Sequence, residues 1–327
     1  MNTPNILVTG ASGFIGRHLC RTLLAEGLRV LAVSRSANHP SLAEFGDNPR
    51  FSPLQGNLQD RDFAESIFRN NEISSVFHFA VERFASDRAG GQLADLSATN
   101  AWKTNVLGTR NLLSAAAGHP VQAWIQGSAM LVYDLDNPGA LPVPESRRGN
   151  PAEPNGLSVL MAEELCRYEA RCHRRPTLLL RFPGVFGPGK SGGIVARLLE
   201  FFAGENGGRF HVPGNRSADF LYVHDAVRAA MLARAYLLEP SAPGTEKTFG
   251  ECLHIGGGAE VPLVEVAVLL REITGSQRSP QIVWDAPPRR FYLDSTRAAT
   301  VLGFQARPLA ETLREFYQRE FQRQKGA

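Results

Sequence analysis

The residues best suited to chemistry lie at the start of this 327-residue chain. Thr9-Gly10-Ala11-Ser12-Gly13-Phe14-Ile15-Gly16 follows an apolar run, Asn5–Val8, and precedes a helical pattern with Leu19, Leu23 and Leu24. Three glycines spaced in this way at a strand-to-helix turn suit a dinucleotide pyrophosphate. The first takes the tight turn, the second lets backbone approach the phosphates, and the third lets helix and strand pack closely. The helix start adds free N–H groups and the positive end of its dipole. A bare structural turn is the competing reading, and the strand-before, helix-after context argues against it. Gly10, Ser12, Gly13, Phe14, Ile15 and Gly16 are therefore the cofactor-binding candidates. The next strand-like run ends in Val33-Ser34-Arg35-Ser36, without the carboxylate that would bond a ribose 2′-hydroxyl. Arg35 offers instead a guanidinium fork for a 2′-phosphate, so NADP is expected over NAD. Against this, a solvated Arg at a strand end has the same appearance.

The elements that must hold these groups repeat at a regular pitch. Strand-like runs occur at Asn5–Val8, Arg29–Val33, Phe51–Leu54, Val76–Ala80, Ala123–Gln126 and Thr177–Arg181, with amphipathic stretches between them. Such alternation predicts parallel βαβ units in a doubly wound α/β sheet, covered on both faces. After Phe182, Pro and Gly accumulate and the pattern loosens. The expected division is a dinucleotide-binding domain over 1–182 and a smaller substrate-binding cap over 183–327, with part of 219–258 completing the sheet.

Composition removes several classes. With 43% hydrophobic residues, 31 Gly, 21 Pro and 4 Cys, the chain is neither disordered, collagen-like nor a disulfide scaffold. No run of about 18 apolar residues is present, so no membrane partner is expected. The N-terminus lacks the charged and apolar regions of a secretory signal, which predicts a cytoplasmic protein. Of the 35 basic residues only Lys103, Lys190, Lys247 and Lys325 are Lys, and the net charge is +3. The Arg pairs 147/148, 174/175 and 289/290 are interspersed with acidic residues and read as solvated surface. Nucleic acid is not an expected partner, because an RNA motif and a basic stripe are both missing. Cys20, Cys166, Cys172 and Cys252 lack metal-ligand spacing, so no metal is expected.

The glycine loop has company further along. His78-Phe79-Ala80, Thr104-Asn105-Val106-Leu107-Gly108-Thr109, Val132-Tyr133, Leu180-Arg181 with Val185–Pro188, Asp219–Val223, Ile255–Gly258, and Asp294 with Leu302-Gly303-Phe304 extend the pattern over nearly the whole chain. Together they resemble the extended short-chain dehydrogenase/reductase family, the NAD-dependent epimerase/dehydratase group. The resemblance implies a Rossmann sheet with a C-terminal substrate cap and a small-molecule substrate, in its nucleotide-sugar members a nucleotide-linked one. It also implies a homodimer through the helices after the fourth and fifth strands. The segment with Leu157, Leu160, Met161, Glu164, Leu165 and Tyr168 carries an apolar stripe compatible with that, or with packing on the sheet. By the same resemblance Asn57 (usually Asp) and Leu58 lie by the adenine, Phe79, Ala80 and Val81 line the cofactor, and Asn105 shapes the catalytic edge.

The family's acid–base residues are not in their places. Its redox members carry Tyr-x-x-x-Lys on one helix face with a Ser or Thr nearby; the cation is needed because a phenol of pKa near ~10 is a poor base at neutral pH. The corresponding positions here are Asn155, Val159 and Ala129, with Ser128 one place early, and no Tyr-x-x-x-Lys occurs anywhere in the chain. Met130 and Leu131 fill the places of a dehydratase acid and base. Gly184 and Ala218 stand where nucleotide-sugar relatives have Asn and Arg, leaving Ser128, Gly184, Arg216 and Arg290 as substrate-contact candidates. Glu82 is the first candidate for a relocated acid/base, although an exposed Glu paired with Arg83 or Arg88 is the commoner explanation. Tyr133 is the second, with packing as its competing role. Two functions follow: an atypical enzyme of the family, which is favoured, or a non-catalytic dinucleotide-binding regulatory, sensor or scaffold protein.

Overall fold

The computed structural model describes residues 5–36, 39–82, 99–190, 192–204, 209–240 and 248–325, with side chains as far as 320. Six strands, β1 (Asn5–Thr9), β2 (Val30–Ser34), β3 (Phe51–Gln55), β4 (Ile73–His78), β5 (Ala123–Ala129) and β6 (Thr177–Phe182), form one sheet with the strand Phe249–His254. Its order is Phe249–His254, β6, β5, β4, β1, β2, β3. The pairings β1–β2, β1–β4, β2–β3 and β4–β5 are all parallel. β2 and β6 are buried throughout, the mark of a parallel strand covered on both faces. β3 alternates and tolerates Pro53 because it is an edge strand. β4 differs from the expected run: it starts at Ile73 and stops at His78, so Phe79 and Ala80 belong to the loop beyond the strand.

Between β3 and β4 the helix Arg61–Arg69 shows how sequence dictates local structure. Asp60 caps it by accepting from the N–H groups of Asp62 (2.9 Å) and Phe63 (3.3 Å), and Arg69 sits at the dipole's negative end. Its apolar face, Ala64, Ile67 and Phe68, joins Leu31, Val33, Val76 and Leu112 in one core cluster. Each of these side chains except Ala64 contributes roughly 1.5–3 kcal/mol on burial.

Two compact units result. The first holds Met1–Asp134, Arg148–Arg181 and Ala229–Leu253; the second holds Leu135–Arg147, Phe182–Arg228 and His254–Ala327. In the second, the helices Ile194–Ala203 and Leu263–Thr274 bury Leu198, Leu199, Val266 and Leu270. The surface expectation fails for Arg175, which is buried with its guanidinium 5.4 Å from the Trp124 ring centroid and bonded to the Ala116 carbonyl at 2.9 Å. No helix among the described residues is long and apolar enough to cross a membrane.

Candidate dinucleotide site and its surroundings

β1 runs straight into the glycine loop and the helix Phe14–Ala25. Gly10 has φ +67°, and a Cβ there would stand 2.6 Å from the Phe79 carbonyl group. A Cβ on Gly13 would be 3.0 Å from the Gly10 carbonyl oxygen, and one on Gly16 would overlap that oxygen outright. The loop therefore packs backbone on backbone, which only glycine permits. No side chain caps the helix at Gly13 and no acidic residue occupies its first turn. An anion is the natural partner for such an end. Gly13 is exposed, Ser12, Phe14 and Ile15 are half-buried, and Ser34 Oγ lies 3.4 Å from Ser12 Oγ. The cradle fits a pyrophosphate on these observations.

A chain of hydrogen bonds fixes the strand ends on either side. Thr109 Oγ1 donates to the Asn105 carbonyl at 2.6 Å, so it accepts from His78 Nε2 at 2.9 Å, leaving His78 Nδ1 to accept from Thr9 Oγ1 at 2.5 Å. Burial drives the His78 pKa down to about 4, which keeps the ring neutral as this pattern requires. Asn105 lies in the π-turn Lys103–Gly108 within the helical run 100–115, and such turns are frequent at functional sites. Its side chain accepts from the Glu82 N–H (2.8 Å) and donates to the Glu82 carbonyl (2.9 Å) and to Ser158 Oγ (3.0 Å). Asn57 is exposed and accepts from the Gln59 N–H at 3.1 Å, whereas Leu58 is buried in the core. Phe79 and Ala80 are half-buried and Val81 is 47% exposed.

Glu82 and Arg35 meet. Arg35 Nη1 lies 2.9 Å from Glu82 Oε2, which also accepts from Thr104 Oγ1 at 3.1 Å. The end of β2 itself carries no carboxylate, as the sequence reads; in space Glu82, from the loop four residues past β4 and 47 residues from Arg35, stands beside it. Arg83 and Arg88, the other partners considered for Glu82, lie outside the described residues.

The helix Pro154–Cys172 starts with Pro at its first position and carries Asn155, half-buried, and Val159, 4% exposed. Ala129 is half-buried at the end of β5. Beneath them Ser128 is not open to a substrate oxygen: it donates to Glu163 Oε1 at 2.5 Å. Glu163 also accepts from Arg181 Nε (2.8 Å) and Nη2 (2.6 Å) and from Arg167 Nη2 (3.0 Å). Burial pushes the Glu163 carboxyl up, but the Arg181 bonds and charge outweigh it and hold it below the ordinary range. Tyr133 is 1% exposed and receives a hydrogen bond from Arg181 Nη1. Burial raises its pKa to about 12 although the Arg181 charge opposes the rise. The sequence gives no local signal for the bond of Glu163 to Arg181, which lies 18 residues on.

In the second unit, Gly184 donates its N–H to the Asp219 carbonyl at 3.3 Å within the pairing of Gly184–Phe186 with Phe220–Tyr222. Arg216 Nε donates to the Pro287 carbonyl at 3.0 Å. Arg290 grips Glu260 with two bonds of 2.7 Å, and Arg289 holds Asp136 at 2.5 Å. A cavity of about 340 Å³ is lined by Gly257, Tyr292, Asp294 and Phe304 among others, and by none of the expected substrate contacts. Asp219 is buried; burial lifts its pKa to about 6 against the N–H bonds of Gly257 (2.6 Å) and Leu293 (3.1 Å). Among the described residues no three His, Cys, Asp or Glu side chains cluster to hold a metal ion.

Known proteins share this fold. The NAD dependent epimerase/dehydratase family model matches residues 6–242. A UDP-glucose epimerase of Bacillus subtilis (strain 168), itself uncharacterised, is 27% identical over 281 residues, 83% of this chain and 82% of its own. A dTDP-glucose 4,6-dehydratase of Streptomyces niveus is 28% identical over 323 residues, 92% and 88% of the two chains. The solved UDP-glucose 4-epimerase of Thermotoga maritima, with UDP-glucose, has a TM-score of 0.80 at 27% identity over 99% of this chain and 100% of its own. MoeE5, solved with UDP-glucose and NAD, has a TM-score of 0.76 at 27% identity with the same coverage. This chain belongs to the NAD-dependent epimerase/dehydratase family of extended short-chain dehydrogenase/reductases.

Proposed function

We propose that this protein holds a nicotinamide–adenine dinucleotide on Gly10–Gly16, together with a nucleotide-linked small molecule, and does not relay protons as its enzymatic relatives are expected to. The bound dinucleotide would supply a hydride donor or acceptor. The chain's own part is to seat the pyrophosphate on the Gly13–Gly16 backbone and the helix start, with Phe79, Ala80 and Val81 alongside. One observation carries the rest: the helix Pro154–Cys172 offers an amide at Asn155 and a buried isopropyl group at Val159. Neither titrates, and the candidate Tyr133 is spent on Arg181 in the core. Arg35 alone would favour the 2′-phosphate form of the dinucleotide; held by Glu82, it does not offer that anchor.

A second reading keeps a reaction and uses Glu82 as relocated acid/base. It is favoured by the position of that carboxylate, 26% exposed just past the carboxyl end of β4. Losing a positioned general acid costs roughly 10²–10⁴-fold, so an easy reaction would survive without the usual groups. The deciding experiment titrates purified protein with NADH and NADPH by fluorescence, then incubates it with NAD and UDP-glucose or UDP-galactose. Saturable binding without sugar interconversion is the expected result. Interconversion that disappears in Glu82→Gln would establish the second reading instead, and no dinucleotide binding would overturn both. A homodimer through the helix Pro154–Cys172 is part of the same proposal: Tyr168 is 60% exposed, with Leu157, Met161 and Leu165 half-buried beside it. Light scattering checks it.

A further inference from the structure

We propose that Glu82 sets which dinucleotide this chain accepts: from the end of β4 it supplies the carboxylate that β2 lacks, and it keeps Arg35 from a 2′-phosphate. The proposal rests on the reading of the glycine loop as a dinucleotide cradle. β1 lies between β2 and β4, and neighbouring strands are about 4.8 Å apart, so the two outer strand ends are separated by roughly 10 Å. Arg35 and Glu82 span that gap with a 2.9 Å contact over the carboxyl end of β1, where the glycine loop begins. The crevice at this reversal of strand order is where open α/β sheets take their ligands.

The carboxylate is held from several sides. Asn105 grips the Glu82 backbone in both directions. Thr104 Oγ1 donates to Oε2 and in turn accepts from Gln59 Nε2 at 3.1 Å. Arg35, by contrast, is 68% exposed, so the ion pair itself adds little to stability; its consequence is for anions. A 2′-phosphate must take the guanidinium from a carboxylate already seated on it and then remain nearby. Even with the dielectric constant of water, a dianion about 6 Å from a carboxylate is disfavoured about tenfold. A 2′-hydroxyl meets no such repulsion and donates to the same oxygen. Glu82 therefore acts as a specificity-determining residue that favours NAD, supplied from the loop after β4, and the sequence of β2 gives no sign of it.

The test titrates the full chain with NADH and NADPH, following fluorescence, for wild type, Glu82→Gln, Arg35→Ala and the double variant. Wild type should bind NADH at least about tenfold more tightly than NADPH. Glu82→Gln should shift that ratio about tenfold toward NADPH, and the same change in the Arg35→Ala background should shift it less. As salt rises, the wild-type ratio should shrink, a readout that needs no variant. A wild type that prefers NADPH, or a ratio unmoved by Glu82→Gln, overturns the proposal while leaving the cradle intact. Failure of wild type to bind either dinucleotide overturns the cradle and the proposal together.

Discussion

His78 makes the first unit sensitive to acid in a way that can be measured. The ring is fully buried between Thr9 and Thr109, and burial lowers its pKa from 6.5 to about 4. The fold keeps the imidazole neutral over a range in which the unfolded chain takes up a proton. Its stabilising contribution is complete above pH 6.5 and is lost as the pH falls towards 4. At about 1.4 kcal/mol per pH unit the full loss is about 3–4 kcal/mol, of which roughly three quarters is gone by pH ~4.5. Asp219, in the second unit, is displaced the other way: burial raises its carboxyl from 3.8 to about 6. Its contribution is present below 3.8 and is lost as the pH rises through about 6, again about 3 kcal/mol. Between about pH 4 and 6, acid weakens the unit that carries the glycine loop and strengthens the other. Urea unfolding at pH ~7 and ~4.5, followed by tryptophan fluorescence, reports this, since Trp124 is fully buried with its ring centroid 6.2 Å from that of His78. His78→Asn should be less stable than wild type at neutral pH and should lose the acid-dependent part of the loss. Parallel pH slopes for the two proteins would refute the linkage.

Further outcomes follow from single contacts. Gly16→Ala places a methyl group on the Gly10 carbonyl oxygen and should weaken NADH binding by at least about 100-fold, whereas Gly46→Ala, whose Cβ would lie 3.4 Å from the Ala43 carbonyl oxygen, should leave it unchanged. Glu163→Gln strips the charge from a buried partner of Arg181 and should cost about 3–5 kcal/mol in urea unfolding. Toward a thiol reagent, exposed Cys172 should react first; Cys20, whose thiol burial pushes up to about 12, and Cys166, raised by burial too, should react only on unfolding.

The sheet was legible because parallel strands buried on both faces write themselves as short apolar runs: all six expected runs became β1–β6, with ends displaced by up to three residues. The glycine loop was legible because most of its constraint is local: Gly13 and Gly16 pack on the backbone of Gly10 within seven residues, and only the contact of Gly10 with Phe79 is distant. What stayed hidden is pairing across the sheet. Glu82 read as an acid awaiting a proton, but its partner Arg35 comes from another strand and shares no periodicity with it. Tyr133 sat at a family-typical position, yet whether its hydroxyl faces a pocket or Arg181 is decided by a strand 48 residues on. Arg290 looked available as a substrate contact until Glu260 was placed beside it. A charge is visible in sequence; its neutralisation is not.

The chain passes between the two units five times, at 134/135, 147/148, 181/182, 228/229 and 253/254. On the ribosome, the strand Phe249–His254 that seals the β6 side of the sheet emerges about 70 residues after β6. Until then β6 offers a bare, apolar, hydrogen-bonding rim, the kind of surface that recruits strands from other molecules. A nascent chain of this protein thus has a long vulnerable interval, and a fragment ending near residue 182 would keep that vulnerability for good.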